Sequence, residues 1–163
     1  MTASDTAAEP ISDREVVITR MIDAPARYLF LAHTRPDYVK RWYGPRGWPL
    51  TTCELDFRVG GSFRFGMTGP EGKAGPLFGG TYLEIVPDKK IAYDNGFDGA
   101  PKMLITVTFD EQGNGQTLLA IHTLFPSIAM KNEHLGYGYA EGIRSGLDQF
   151  AAVVAELQAE ERG

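Results

Sequence analysis

Cys53 is the only cysteine in the 163 residues, which excludes an intrachain disulfide and a cysteine-rich metal site. Histidine is almost as scarce. His33, His122 and His134 stand far apart, with no H-E-x-x-H or related spacing, so neither a metal nor another cofactor is expected. The chain also lacks a G-x-S-x-G elbow, a glycine-rich phosphate loop ending in Lys-Ser/Thr, and any internal repeat. No apolar run approaches the roughly 18 residues that a membrane span needs. Positive charge is in deficit, with 16 Lys and Arg against 21 Asp and Glu for a net charge of −5, which argues against an electrostatic nucleic-acid binder. The opening "MTASDTAAEPISD" has neither the basic nor the apolar region of a secretory signal. It reads as a disordered tail over residues 1–13, ahead of a single cytoplasmic domain over 14–160.

What is present is alternation. "REVVITRMI" (14–22) has the β-branched content of a strand. Two short helices are expected next, one capped by Asp23 and opened by Pro25, the other starting near Pro36. From residue 50 the apolar period becomes two: Thr51, Cys53, Leu55 and Phe57 share one face, and Phe63, Phe65 and Met67 follow on the next segment. Four further strands are expected in "GGTYLEIV", "KKIAYDNGF", "KMLITVTFD" and "QTLLAIHTLF", separated by turn residues. Short connections favour antiparallel pairing. A helix from about Ser127 to Glu160 closes the chain, with Leu135, Tyr139, Ile143, Leu147, Phe150, Val154 and Leu157 as its apolar stripe. One sheet face buried under one long helix is an α+β plan.

Three features within this plan bear on function. "RWYGPRGWPL" (41–50) concentrates Trp42, Tyr43 and Trp48 in a turn, where Trp42 is expected in the core and Tyr43 and Trp48 against a ligand. Gly138, Gly142 and Gly146 recur every four residues on the last helix, each costing about 1 kcal/mol relative to alanine. Such a row serves close packing, a cavity for an apolar ligand, or a homodimer contact. Third, strand phase turns Asn95 and Thr123 inward among apolar neighbours, where they either bond within the protein or orient a ligand. His122 falls on the outward phase. Glu54, Asp56 and Arg58 also point outward, where ion pairing with Arg64 is expected.

The segments "ITRMIDAPARYLFLAHTRPDYVKRWYGPRGW", "VGGSFRF", "GGTYLEIVPDKKIAYD", "ITVTFDE" and "GYAEGIRSGLDQFAAVVAEL" resemble the bacterial branch of the START-like (SRPBCC) superfamily related to the activator of the heat-shock-protein-ninety ATPase. The likeness runs over residues 14 to 158. It implies the helix-grip fold: a curved antiparallel sheet wrapped around a long C-terminal helix, with a cavity between them. Related chains often carry Trp at the positions of Phe63 and Tyr43, and a larger residue at Gly146 or Ile143. These departures alter the expected cavity.

Superfamily roles differ, and three functions fit this chain. The leading one is binding of a small hydrophobic, aromatic or lipid-like molecule. Its expected contacts are Tyr43, Trp48, Phe63, Phe65, Phe78, Tyr82, Tyr93, Asn95, Thr123, His134, Gly138 and Gly142. The second is a cyclase, hydrolase or dehydratase using His134, Tyr137 and Glu141, which helical spacing sets on one side of the cavity mouth. The third is a chaperone-accessory module that engages a protein partner.

Overall fold

The alternating segments pair into one seven-stranded antiparallel sheet, seen in a computed structural model that describes residues 9–162. Its strands are β1 (Glu15–Ile22), β2 (Leu50–Leu55), β3 (Ser62–Met67), β4 (Phe78–Val86), β5 (Lys90–Phe97), β6 (Met103–Glu111) and β7 (Thr117–Leu124). Their order is β1-β7-β6-β5-β4-β3-β2, so the first strand lies beside the last and every other neighbour is joined by a short connection. Helices α1 (Ala26–Leu31) and α2 (Pro36–Val39) follow β1, and α3 (Ile128–Gly136) and α4 (Tyr139–Arg162) follow β7. Among the described residues no helix is long and apolar enough to cross a membrane.

Period-two patterning places Ile18 and Ile22 of β1, Ile105, Val107 and Phe109 of β6, and Leu119 of β7 on the inner face. Leu147, Phe150, Val154 and Leu157 of α4 pack with them in the same core, as does Leu29 of α1. Phe150 and Leu29 are wholly buried, and each contributes roughly 1.5–3 kcal/mol of transfer free energy.

Several expectations change. The helix expected over 127–160 is two helices, because Gly138 takes φ +89°, a left-handed conformation that stops the first and admits the second. The apolar stripe runs through this break, which concealed it. Ser127 does cap α3, its Oγ accepting from the Met130 N–H at 3.1 Å. Asp23 does not cap α1; Pro25 holds the N-cap position and the Ala26 N–H meets Glu111 Oε2 at 3.4 Å. The tail expected over 1–13 includes a 3-10 turn at Ile11–Asp13, and Glu9 Oε1 accepts from the Ile128 N–H at 3.0 Å. Residues 1–8 of that expectation lie outside the described residues. Thr51 is exposed rather than inward, because an irregularity between Leu50 and Thr52 puts Leu50 in the core instead. Arg64 pairs with Asp98 at 2.6 Å, and Asp56 with Arg58 at 2.7 Å.

The glycine row divides by role. Gly138 makes the break; Gly142 and Gly146 face the "RWYGP" corner, not the sheet. A Cβ on Gly146 would stand 3.4 Å from the Trp42 carbonyl oxygen, and one on Gly142 would stand 3.8 Å from the Pro45 ring. Of the three, Gly146 lies closest to the corner backbone, whereas Gly142 has room for a methyl. Opposite outcomes are expected for two alanine variants in urea unfolding. Gly142→Ala stabilises by up to about 1 kcal/mol, since the methyl meets only ordinary contact and helix propensity improves. Gly138→Ala costs about 1–2 kcal/mol, because alanine is strained at positive φ.

Candidate functional site

The inner face of β3, β4 and β5 carries rings that meet those of the corner after α2. Phe63 and Phe65 come from β3, Tyr82 from β4 and Tyr93 from β5. Trp42 and Tyr43 close over them, with Tyr43 at 5.1 Å from Phe65 and 6.0 Å from Phe78 between ring centroids. Phe63 meets Tyr93 edge-on at 5.3 Å, and Phe57 meets Tyr82 likewise at 5.1 Å. Within this aromatic seam lies a cavity of about 30 Å3, bounded also by His33, Val39 and Ile91. It has room for roughly two water molecules, whereas a drug-sized ligand needs at least about 300 Å3. The interior expected to be hollow is almost filled.

The corner is tied down at a few points. The Trp42 indole N–H donates to the Ala32 carbonyl at 3.0 Å. The Gln149 amide of α4 donates to the Gly44 carbonyl at 2.7 Å, and the Arg46 N–H to Ser145 Oγ at 3.2 Å. Tyr43 thus sits on a segment held to α4 by the latter two hydrogen bonds and by Trp42, whose ring packs on Phe150 at 4.9 Å.

Polar groups in the seam are many, and none carries a formal charge at neutral pH. Burial raises the Tyr43, Tyr82 and Tyr93 hydroxyls well above the ordinary tyrosine range. For Tyr43 and Tyr93 the negative charge that neighbouring phenols would acquire adds to this, while the Asn95 amide beside Tyr43 works in the other direction. Tyr139 is pushed up to about 12 by burial, opposed by its 2.7 Å hydrogen bond with Thr123 Oγ1. These phenols stay protonated near neutrality and act as hydrogen-bonding groups, not as bases. Burial also raises the Cys53 thiol, with Lys40 opposing, so it is no ready thiolate. His33 is lowered to about 4 by burial, against the effect of its hydrogen bond to the Leu29 carbonyl.

Asn95 stands apart. It is 6% exposed, and its Oδ1 is the one buried side-chain polar atom among the described residues without a hydrogen-bond partner. Such an orphan costs on the order of 1–3 kcal/mol.

Of the expected ligand contacts, Tyr43, Phe63, Phe65, Tyr82 and Tyr93 line the cavity. Phe78 and Asn95 stand just behind, against Tyr43, and Thr123 is taken up by Tyr139. Trp48 lies elsewhere: a Cβ on Gly69 would stand 2.5 Å from its ring and one on Gly75 3.7 Å, so it is clamped by the β3–β4 connection. Gly142 faces Pro45, and Gly138 forms the helix break. His134 packs on Phe125 at 5.3 Å and Tyr139 at 5.9 Å, with Nδ1 donating to the Met130 carbonyl at 3.0 Å. Tyr137 is 81% exposed and Glu141 is exposed, so the three residues grouped by helical spacing are not gathered around the cavity. The break at Gly138 is the physical reason. His33, Val39, Trp42, Phe57 and Ile91 also border the cavity, although sequence reasoning did not assign them to it. Among the described residues, no group of three or more His, Cys, Asp or Glu is placed to hold a metal.

A curved antiparallel sheet closed by a long C-terminal helix, with short helices after the first strand, is the helix-grip architecture. The chain belongs to the family described as "Activator of Hsp90 ATPase homolog 1-like protein", whose model matches residues 23–155. Among solved structures, a Chromobacterium violaceum protein is 29% identical, with a TM-score of 0.70, covering 85% of this chain and 96% of its own. An Arthrobacter aurescens protein is 27% identical with a TM-score of 0.81, covering 91% and 90%. A Nitrosomonas europaea protein shares the fold at 20% identity, with a TM-score of 0.81 over 91% of this chain and 98% of the other. No curated protein matches the chain.

Proposed function

We propose that this chain binds a small hydrophobic or aromatic molecule in the seam between β3–β5 and the corner at Trp42 and Tyr43. The observation that carries this reading is the buried, unpartnered Asn95 Oδ1 beside an aromatic-lined cavity. A fold retains an uncompensated polar group more readily where a ligand satisfies it. The free cavity is small, so entry requires the hydrogen-bonded corner to lift from α4 and Tyr43 to swing aside. The family supports the reading, since its fold commonly accommodates hydrophobic ligands.

Thermal unfolding against a panel of aromatic and lipid-like compounds tests it. A ligand at about 100 times its Kd contributes about 2.7 kcal/mol, which raises Tm by roughly 5–10 °C for a chain of this size. Phe63→Trp, which adds ring volume to the seam, is expected to abolish that rise while remaining folded. Absence of any stabilising compound, or an equal rise in the filled variant, would overturn the assignment.

A further inference from the structure

The polar chemistry of the seam narrows the ligand class, an inference that rests on the binding function above. No lysine, arginine, aspartate or glutamate borders the cavity, so it offers no counter-ion to a charged head group. Two acceptors are fixed at the seam, one behind Tyr43, reached when Tyr43 swings aside, and one in the cavity wall itself. One is Asn95 Oδ1, on the same face of β5 as Tyr93 and next to Tyr43. The other is His33 Nε2: because Nδ1 sits 2.8 Å from the Leu29 carbonyl, Nδ1 carries the proton and Nε2 has only a lone pair to offer. His33 forms part of the cavity wall. Thr123 and Tyr139 already satisfy each other.

A carboxylate or phosphate entering here would lose its hydration, meet no cation and leave Asn95 Oδ1 unpaired, a severe combined penalty. A plain hydrocarbon would fit the rings but also leave that oxygen orphaned. A hydroxyl attached to an aromatic ring meets both demands: the ring stacks among Trp42, Phe63 and Phe65, and the O–H supplies the missing donor. We propose that the seam takes a neutral, hydroxyl-bearing aromatic molecule whose hydroxyl donates to Asn95 Oδ1.

Three probes with one ring system separate the possibilities: 2-naphthol, 2-naphthoate and naphthalene, measured by equilibrium dialysis at pH 7 against the full chain and N95L. The expected result is at least tenfold tighter binding of 2-naphthol than of either other probe. In N95L the advantage of 2-naphthol over naphthalene disappears, while naphthalene binds as well as before. Circular dichroism and a melting curve establish that N95L is folded, leucine having the same branching and heavy-atom count as asparagine. Binding of 2-naphthoate as tight as that of 2-naphthol, or a preference for 2-naphthol that survives N95L, overturns the proposed class while leaving seam binding in place. Binding of none of the three overturns both.

Discussion

Phe150→Ala is expected to lower the unfolding free energy by about 3–5 kcal/mol, a large share of a domain's usual stability. Phe150 is 0% exposed and projects from α4 between the sheet and the aromatic corner. Its ring meets Trp42 edge-on at 4.9 Å and lies 5.2 Å from His33. Removing it takes away the support behind two residues of the cavity wall as well as the transfer free energy of the ring. The densely filled core leaves little room for collapse, because Leu29 and Val154 of the same cluster are themselves almost wholly buried. Urea unfolding checks this through a lower midpoint at unchanged slope. Val59→Ala, at a site 59% exposed, is expected to change stability by less than about 0.5 kcal/mol. A loss below about 1 kcal/mol for Phe150→Ala would contradict the packing described.

Acid should weaken the fold through His33 well before most carboxylates protonate. Its imidazole is lowered from the ordinary 6.5 to about 4, chiefly because burial disfavours the cation. The folded protein therefore resists the proton that an unfolded chain accepts. Above pH 6.5 the ring is neutral in both states and the contribution to stability is fully present. Between pH 6.5 and about 4 only the unfolded chain gains the proton, so stability falls as pH falls, by about 3 kcal/mol in all. Below about 4 both states are protonated and this contribution is flat. Unfolding measured from pH 7 to 4 should show the slope in the parent chain and a much shallower one in His33→Leu. Identical slopes would remove His33 as the cause.

Much of this architecture is legible in local sequence, and the reason is period. Phe63 and Phe65, Tyr93 and Asn95, and Thr117 through Phe125 alternate cleanly, so their inward faces follow from spacing alone. Five residues of the cavity wall come from that reasoning or from the aromatic corner. The remainder depends on contacts that spacing does not encode. Trp42 packs on the core as expected but also borders the cavity, its indole held by a hydrogen bond to the Ala32 carbonyl, ten residues back. His33 reaches the seam from just beyond the end of α1, where neither strand nor helix phase applies. Trp48 turns away because Gly69 and Gly75, on a distant connection, open a slot for its ring. At Gly138 the helical stripe continues on both sides of a residue whose φ reverses, so periodicity conceals the break that separates His134 from Glu141.

In this chain an aromatic-walled seam lies under a hydrogen-bonded corner, and we propose that ligand enters there. A protein-observed NMR titration with 2-naphthol tests it most directly. The predicted result is perturbation concentrated on the ring signals of Tyr43, Phe63, Phe65, Tyr82 and Tyr93 and on the Asn95 side-chain amide. Perturbation confined to Val17, Met21 and Leu104, exposed on the outer face of the sheet, with the seam unchanged, would contradict it.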